Sequence, residues 1–188
     1  CVPSNFRFAD ADTRLKAEIA GGVDTRLCYA IEDLVEEMAK EGDDRFDYII
    51  IDCGPRLDMT TTNAIVALEA GNNASHIIIP IKVDGFAIAG LSQTIDTINR
   101  TAKERRRLPQ HWKILQTMIE RKTSAYKVGC ELLKEAIPNA EYFNTKIEKS
   151  TVVPEASLAM EPLITYAPDS KPGMQYRLLA QEIEEMNA

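Results

Sequence analysis

The stretch that most constrains this chain is Phe46-Asp47-Tyr48-Ile49-Ile50-Ile51-Asp52-Cys53-Gly54-Pro55, an apolar run that ends in one carboxylate and then a Gly-Pro turn. A continuous isoleucine run suits a strand covered on both faces, and such strands belong to parallel sheets with helices on either side. Open α/β sheets bind ligands beyond the carboxyl ends of their strands, which is where the pattern puts Asp52. A carboxylate there commonly holds Mg2+, usually through water, against a nucleotide phosphate. The plain alternative is a solvated acid before a turn, and the decamer alone leaves both readings open.

Strand and helix patterns alternate along the rest of the chain, which predicts an α/β fold with a mostly parallel sheet and helices on both faces. Leu27, Ile31, Leu34, Val35 and Met38 recur at helical spacing with Glu32, Glu36 and Glu37 outside, predicting a helix packed on a sheet face and ended at Gly42-Asp43-Asp44. Residues 60–70 read as a helix ended by Gly71, 75–81 as a second buried strand, and 89 to about 106 as a long helix closed by Pro109. Residues 113–120 read as a strand, 124–136 as a helix stopped at Ile137-Pro138, 142–147 as another strand and 173–186 as the closing helix. No repeat, low-complexity tract or linker interrupts this series, so 1–188 is expected to form a single domain.

Net charge is −7 and the isoelectric point is near 5.0, so no global electrostatic footprint for nucleic acid exists. Local basic clusters do occur: Lys103-Glu104-Arg105-Arg106-Arg107, Arg121-Lys122, and Lys146 with Lys149. The first also suits a helix C-terminus electrostatically. The four cysteines, Cys1, Cys28, Cys53 and Cys130, form no Cys-x-x-Cys pair, and with only two separated histidines a thiolate or imidazole metal site is not expected. They read as reduced thiols of a cytoplasmic protein, Cys53 being either a small buried hydrophobe or a thiol that titrates beside a phosphate site. No apolar run is long enough to span a bilayer, and residues 1–10 are not a signal peptide.

Beyond Asp52-Cys53-Gly54-Pro55-Arg56-Leu57 come Thr60-Thr61-Thr62-Asn63-Ala64, then His76-Ile77-Ile78-Ile79-Pro80-Ile81, then Asp84-Gly85-Phe86-Ala87-Ile88-Ala89-Gly90-Leu91. Ile147-Glu148-Lys149-Ser150, Glu155-Ala156 and Pro162-Leu163-Ile164-Thr165-Tyr166-Ala167-Pro168-Asp169-Ser170-Lys171 follow. In order and spacing this series resembles the ParA family of chromosome and plasmid partitioning ATPases over nearly the whole chain. The resemblance implies a P-loop NTPase-like fold, ATP and Mg2+ as cofactors, a homodimer formed on ATP binding, nonspecific DNA binding and a ParB-like partner protein. It assigns Asp52 to catalysis and metal holding, with Asp52, Gly54 and Pro55 as the nucleotide-linked switch. A turn that must register a γ-phosphate needs special backbone beside the metal carboxylate, and Gly54 and Pro55 supply it.

The same resemblance places Met118, Ile119 and Glu120 at the adenine side, a buried strand end being the plain alternative, and puts Glu148 where family members carry Pro. Thr62 and Asn63 match a helix start, where N-capping is favoured over ligand contact. Arg121, Lys122, Lys146 and Lys149 fall where the family places its DNA surface, although Val152 replaces one typical Arg.

The family's Lys-Gly-Gly-x-Gly-Lys-Thr loop is absent from this sequence, whose only Gly-Gly pair, Gly21-Gly22, is followed by no Lys-Thr. The expectation is therefore a C-terminal portion of a longer ATPase, inactive alone, with Cys1 to Asn5 matching a turn downstream of that loop. Asp10 and Asp12 read as first-turn acids of a helix rather than a switch element. The alternative from another class is a non-hydrolytic degenerate relative acting as a protein-interaction module. A membrane-cycling relative of the MinD type is disfavoured because Glu182, Glu184 and Glu185 on the closing helix would repel anionic lipid.

Overall fold

Parallel strands β1 (His76–Lys82) and β2 (His111–Thr117) pair in register from His76 opposite His111 to Lys82 opposite Thr117. They belong to a computed structural model that describes residues 13–14, 22–42, 46–54, 57–68, 75–104 and 111–187. The other elements are α1 (Arg26–Glu41), α2 (Met59–Ala67), α3 (Gly85–Glu104), α4 (Ser124–Ala136), α5 (Val152–Leu158), α6 (Leu163–Tyr166) and α7 (Lys171–Asn187). The architecture is α/β with a parallel sheet, as the alternating pattern predicts. The described residues divide between two compact units, one drawn from residues 1–75 and 96–110, the other from 76–95 and 111–188.

In the second unit β2 is the inner strand. Ile114, Leu115 and Gln116 are buried, and residues 141–149 run along the edge of β2 opposite β1. Strand β1 is less covered than its Ile run predicts. Ile79 and Ile81 are buried while Ile78, Pro80 and Lys82 face outward, the alternation of a strand with one open face. Pro80 has no N–H to donate, so it fits a strand whose far edge carries no ladder among the described residues.

The expected strand at 142–147 is instead two bridges, Ile114–Tyr142 and Ile119–Glu148, separated by a bulge. Phe143 N–H donates to the Ile114 carbonyl at 3.0 Å, but the next bond to β2 is Ile147 N–H to Gln116 at 2.9 Å, so 144–146 loop away from the ladder. The amides they would leave unpaired turn to α7. Glu182 Oε1 accepts from Asn144 N–H at 2.7 Å and Oε2 from Thr145 N–H at 2.9 Å. Chain pattern reports which faces are apolar and is blind to such a substitute acceptor. Helix α7 also buries Leu179 against Leu115, Phe143 and Ile147, with Ile183 and Met186 beside them.

Helix α3 begins earlier than residue 89. Asp84 Oδ1 accepts from Ala87 N–H at 3.0 Å, and the Asp-Gly pair at 84–85 is the start signal. Its buried residues Ile88, Leu91, Ile95, Ile98 and Ala102 follow a strict three-four spacing. Helix α4 starts and stops where the sequence places it, with Thr123 as cap accepting from Tyr126 N–H at 3.2 Å.

In the first unit two expectations fail. Residues 46–54 form no strand, and Tyr48, Ile49 and Ile50 are 50%, 48% and 90% exposed. Apolar content alone does not make a strand, which also needs neighbours for its backbone groups, and among the described residues none pairs with this run. Within this unit helix α1 packs against α2, and Leu34 and Val35 are exposed. In α2 the cap is Asp58, which accepts from Thr60 and Thr61 N–H at 3.1 and 3.2 Å, so neither Thr62 nor Asn63 plays that part.

Candidate functional site

Asp52 and Gly54 lie at the exposed end of the 46–54 run, whereas Pro55 lies outside the described residues, as do Asp10, Asp12 and Arg105 to Arg107. The Asp52 carboxylate forms no ion pair among the described residues, and a hard, solvent-facing oxygen donor is what a hydrated Mg2+ requires, so the side chain fits that ion. A Cβ at Gly54 would meet open space, so its use there is not enforced by crowding. Among the described residues, no cluster of three or more His, Cys, Asp or Glu side chains is placed to hold a metal by itself.

Cys53 is exposed, not a buried hydrophobe. Partial desolvation pushes its thiol above the ordinary value, and the Asp52 and Asp58 carboxylates push the same way. An acidic neighbourhood disfavours thiolate, so Cys53 is not an activated nucleophile.

Buried Asn63 does structural duty. Its Nδ2 donates to the carbonyls of Val23 and Met59 at 2.9 and 3.0 Å, and its Oδ1 accepts from Leu27 N–H at 3.2 Å. It ties the loop before α1 to α2, so it is neither a cap nor free for a ligand.

In the second unit, the carboxyl ends of β1, β2 and the 141–149 segment carry a cluster of charges. Met118 leaves β2 with a left-handed φ of 52° and a 57% exposed side chain, whereas Ile119 beside it is buried, so the plain alternative of a buried strand end holds for Ile119 and not for Met118. A non-glycine residue in that left-handed region is uncommon and marks a place where the backbone is held against preference. The turn at Met118 lets Ile119 N–H reach the Ile147 carbonyl at 3.1 Å, so that Glu120 and Glu148 emerge side by side with Arg121 and Lys149.

Glu120 Oε1 accepts from Lys149 Nζ at 2.7 Å, and Glu148 accepts from Arg121 Nε at 2.8 Å and from Lys171 Nζ at 2.6 Å. Lys149 holds the Glu120 carboxyl below its usual range, and Lys171 does the same for Glu148 against an opposing effect of burial, with Arg121 adding to the lowering. Lys146 Nζ lies 3.5 Å from the Tyr126 hydroxyl, which itself donates to Gln116 Oε1 at 2.7 Å. Burial first, and then Cys130, pushes that hydroxyl up to about 12, so it stays protonated. Lys122 is exposed and makes no ion pair among the described residues.

Three of the four predicted basic residues, Arg121, Lys146 and Lys149, therefore already have partners, Glu148 being that of Arg121 and Glu120 that of Lys149. Sequence reasoning missed Lys171 as the second cation on Glu148 and Glu182 as the acceptor for the bulge. Neither has a local signal, because both partnerships are made across the sheet by α7. It also missed the Lys82–Asp84 pair, 3.2 Å apart after β1, which the Asp-Gly cap signal would have flagged.

Comparison with known proteins gives the chain its place. A family model described as AAA domain matches residues 1–110. The sporulation initiation inhibitor protein Soj of Bacillus subtilis is 30% identical over 188 residues, covering 97% of this chain and 65% of that protein. An uncharacterized protein of Mycobacterium tuberculosis is 30% identical over 184 residues, covering 97% of this chain and 52% of its own length. The chromosome partitioning protein ParA of Caulobacter vibrioides is 27% identical over 175 residues, 93% of this chain and 62% of that protein. The chain thus spans between about half and two thirds of these relatives. With its parallel α/β core, this chain belongs to the AAA domain family of P-loop NTPase type and is a relative of the proteins named ParA and Soj.

Proposed function

We propose that this chain is part of a ParA-like ATPase that partitions plasmid or chromosomal DNA through ATP-dependent dimerisation and nonspecific DNA binding. The observation that carries the reading is similarity running through nearly the whole chain to proteins named for sporulation control and chromosome partitioning. Asp52, with Gly54 and Pro55, is the nucleotide-linked switch, and its exposed carboxylate, which has no ion-pair partner among the described residues, is suited to a hydrated magnesium ion. Bound MgATP supplies a metal-neutralised phosphate whose presence the switch registers. Met118, Glu120 and Glu148 are the adenine-side positions, and Arg121, Lys122, Lys146 and Lys149 the DNA-facing ones. A ParB-like protein is the expected partner and the cytoplasm the expected compartment. No described helix is long and apolar enough to cross a membrane.

The test is phosphate release by the intact ATPase. Asp52→Ala is expected to abolish turnover while circular dichroism stays unchanged, since an exposed side chain contributes little to packing. Undiminished turnover would remove Asp52 from the mechanism, and no turnover in the parent would favour a non-hydrolytic interaction module.

A further inference from the structure

The chain carries a net charge of −7, yet Lys82, Arg121, Lys122, Lys146, Lys149 and Lys171 all belong to the unit that carries β1, β2 and α7. Several of them are clasped. A single carboxylate, Glu148, holds Arg121 with one oxygen and Lys171 with the other, Glu120 holds Lys149, and Asp84 holds Lys82. The carboxylates differ in how firmly they are placed. The side chain of Glu148 is only 20% exposed, its N–H donates to Gln175 Oε1 at 2.9 Å, and its backbone bridges Ile119. Its cations are 53% and 64% exposed. The anion is thus held in place and the cations are open to solvent, an arrangement in which another anion competes for the cations without moving the backbone.

A carboxylate that accepts from Arg and Lys at once presents the two-oxygen geometry that a phosphate would present to the same donors. Ion pairs whose cations are this exposed are weak, so exchange is not blocked energetically. It is, however, discouraged electrostatically, because incoming phosphates approach a surface that already carries Glu120 and Glu148.

We propose that Glu148, assisted by Glu120, is an intramolecular competitor of nucleic-acid phosphate. It occupies Arg121, Lys171 and Lys149 in the absence of DNA and sets how tightly, and with what salt dependence, duplex is held. This rests on the DNA-binding reading above and adds to it a residue pair that lowers affinity. Lys171 thereby joins the DNA surface, at the first turn of α7.

The experiment is fluorescence anisotropy with a short mixed-sequence duplex and the intact protein over a salt series, at a MgATP concentration shown to saturate each variant, since Glu120 and Glu148 are also adenine-side positions. Glu148→Gln is expected to tighten binding about tenfold at low salt and to steepen the slope of log K against log salt by up to about two, one for each freed cation. Glu120→Gln should do half as much, and Glu148→Asp, which keeps the charge, should resemble the parent. Arg121→Ala with Lys149→Ala should weaken binding and flatten the slope. If that double variant behaves so while both Gln variants match the parent, the competitor role is overturned and the DNA surface stands. If none of the variants changes binding, the surface and the competitor fall together. Thermal melting of each variant separates loss of fold from loss of contact.

Discussion

Glu182 Oε2 accepts a hydrogen bond from the backbone N–H of Thr145 at 2.9 Å, joining the last helix to a break in the outermost strand segment. Oε1 takes the neighbouring Asn144 N–H, so one side chain satisfies two backbone donors of the bulge. Glu182→Ala should cost about 1–2 kcal/mol, the range for charge-assisted bonds at a partly exposed site. Urea denaturation followed by circular dichroism measures it. An unchanged midpoint would mean that water serves the bulge equally well.

The same contact sets a pH dependence. Burial raises the Glu182 carboxyl, but the hydrogen bonds from Thr145 and Asn144 outweigh it, and the group ends below its ordinary value. A folded value depressed below the unfolded one contributes stability that is complete above the unfolded value and is lost as pH falls through the folded one. The parent should therefore lose stability on acidification from about pH 5 downward more steeply than Glu182→Gln, whose side chain does not titrate. Parallel acid titrations of the two would refute the assignment.

Asn63 spends both ends of its amide inside the first unit. Asn63→Ala leaves the Leu27 N–H and the Val23 carbonyl without their partner and should cost about 2–3 kcal/mol. Asn63→Asp keeps the acceptor for Leu27 and loses both donations, so it should also destabilise. Thermal melting distinguishes this from a ligand-contact role, which would spare stability.

Two helix glycines should respond oppositely to alanine. A Cβ at Gly129 would stand 2.8 Å from Val83 Cγ1 and 3.0 Å from the Val83 carbonyl, so Gly129→Ala should destabilise by about 1–3 kcal/mol. At Gly90 in α3 a Cβ meets nothing within 4 Å, and alanine there should stabilise by about 0.5–1 kcal/mol through helix propensity. Equal effects from both would show that the approach of α4 to Val83 is looser than it stands.

These 188 residues, taken alone, should bind MgATP weakly, because the sequence holds no Lys-Gly-Gly-x-Gly-Lys-Thr loop whose backbone amides surround phosphates. Titration calorimetry measures it, and micromolar affinity would show that other residues here do that work.

The sequence by itself determined what is local or periodic. The limits of α4 follow from Thr123 before it and Ile137-Pro138 after it, and the buried stripe of α3 is legible as spacing. The order of motifs was enough to name the family that the AAA domain match then showed. Tertiary structure alone decided the partners. The Ile49-Ile50-Ile51 run looked like a strand because hydrophobicity records a wish for burial, whereas a strand exists only where another backbone meets its N–H and C=O groups. The regular strand expected at 142–147 broke for the complementary reason, since a distant carboxylate at Glu182 made a bulge affordable. Glu148 and Lys171 were each visible in the chain, but that one carboxylate would gather two cations depended on α7 folding back across the sheet. Pair interactions between residues far apart in sequence leave no period and no spacing, so only the folded chain reveals them.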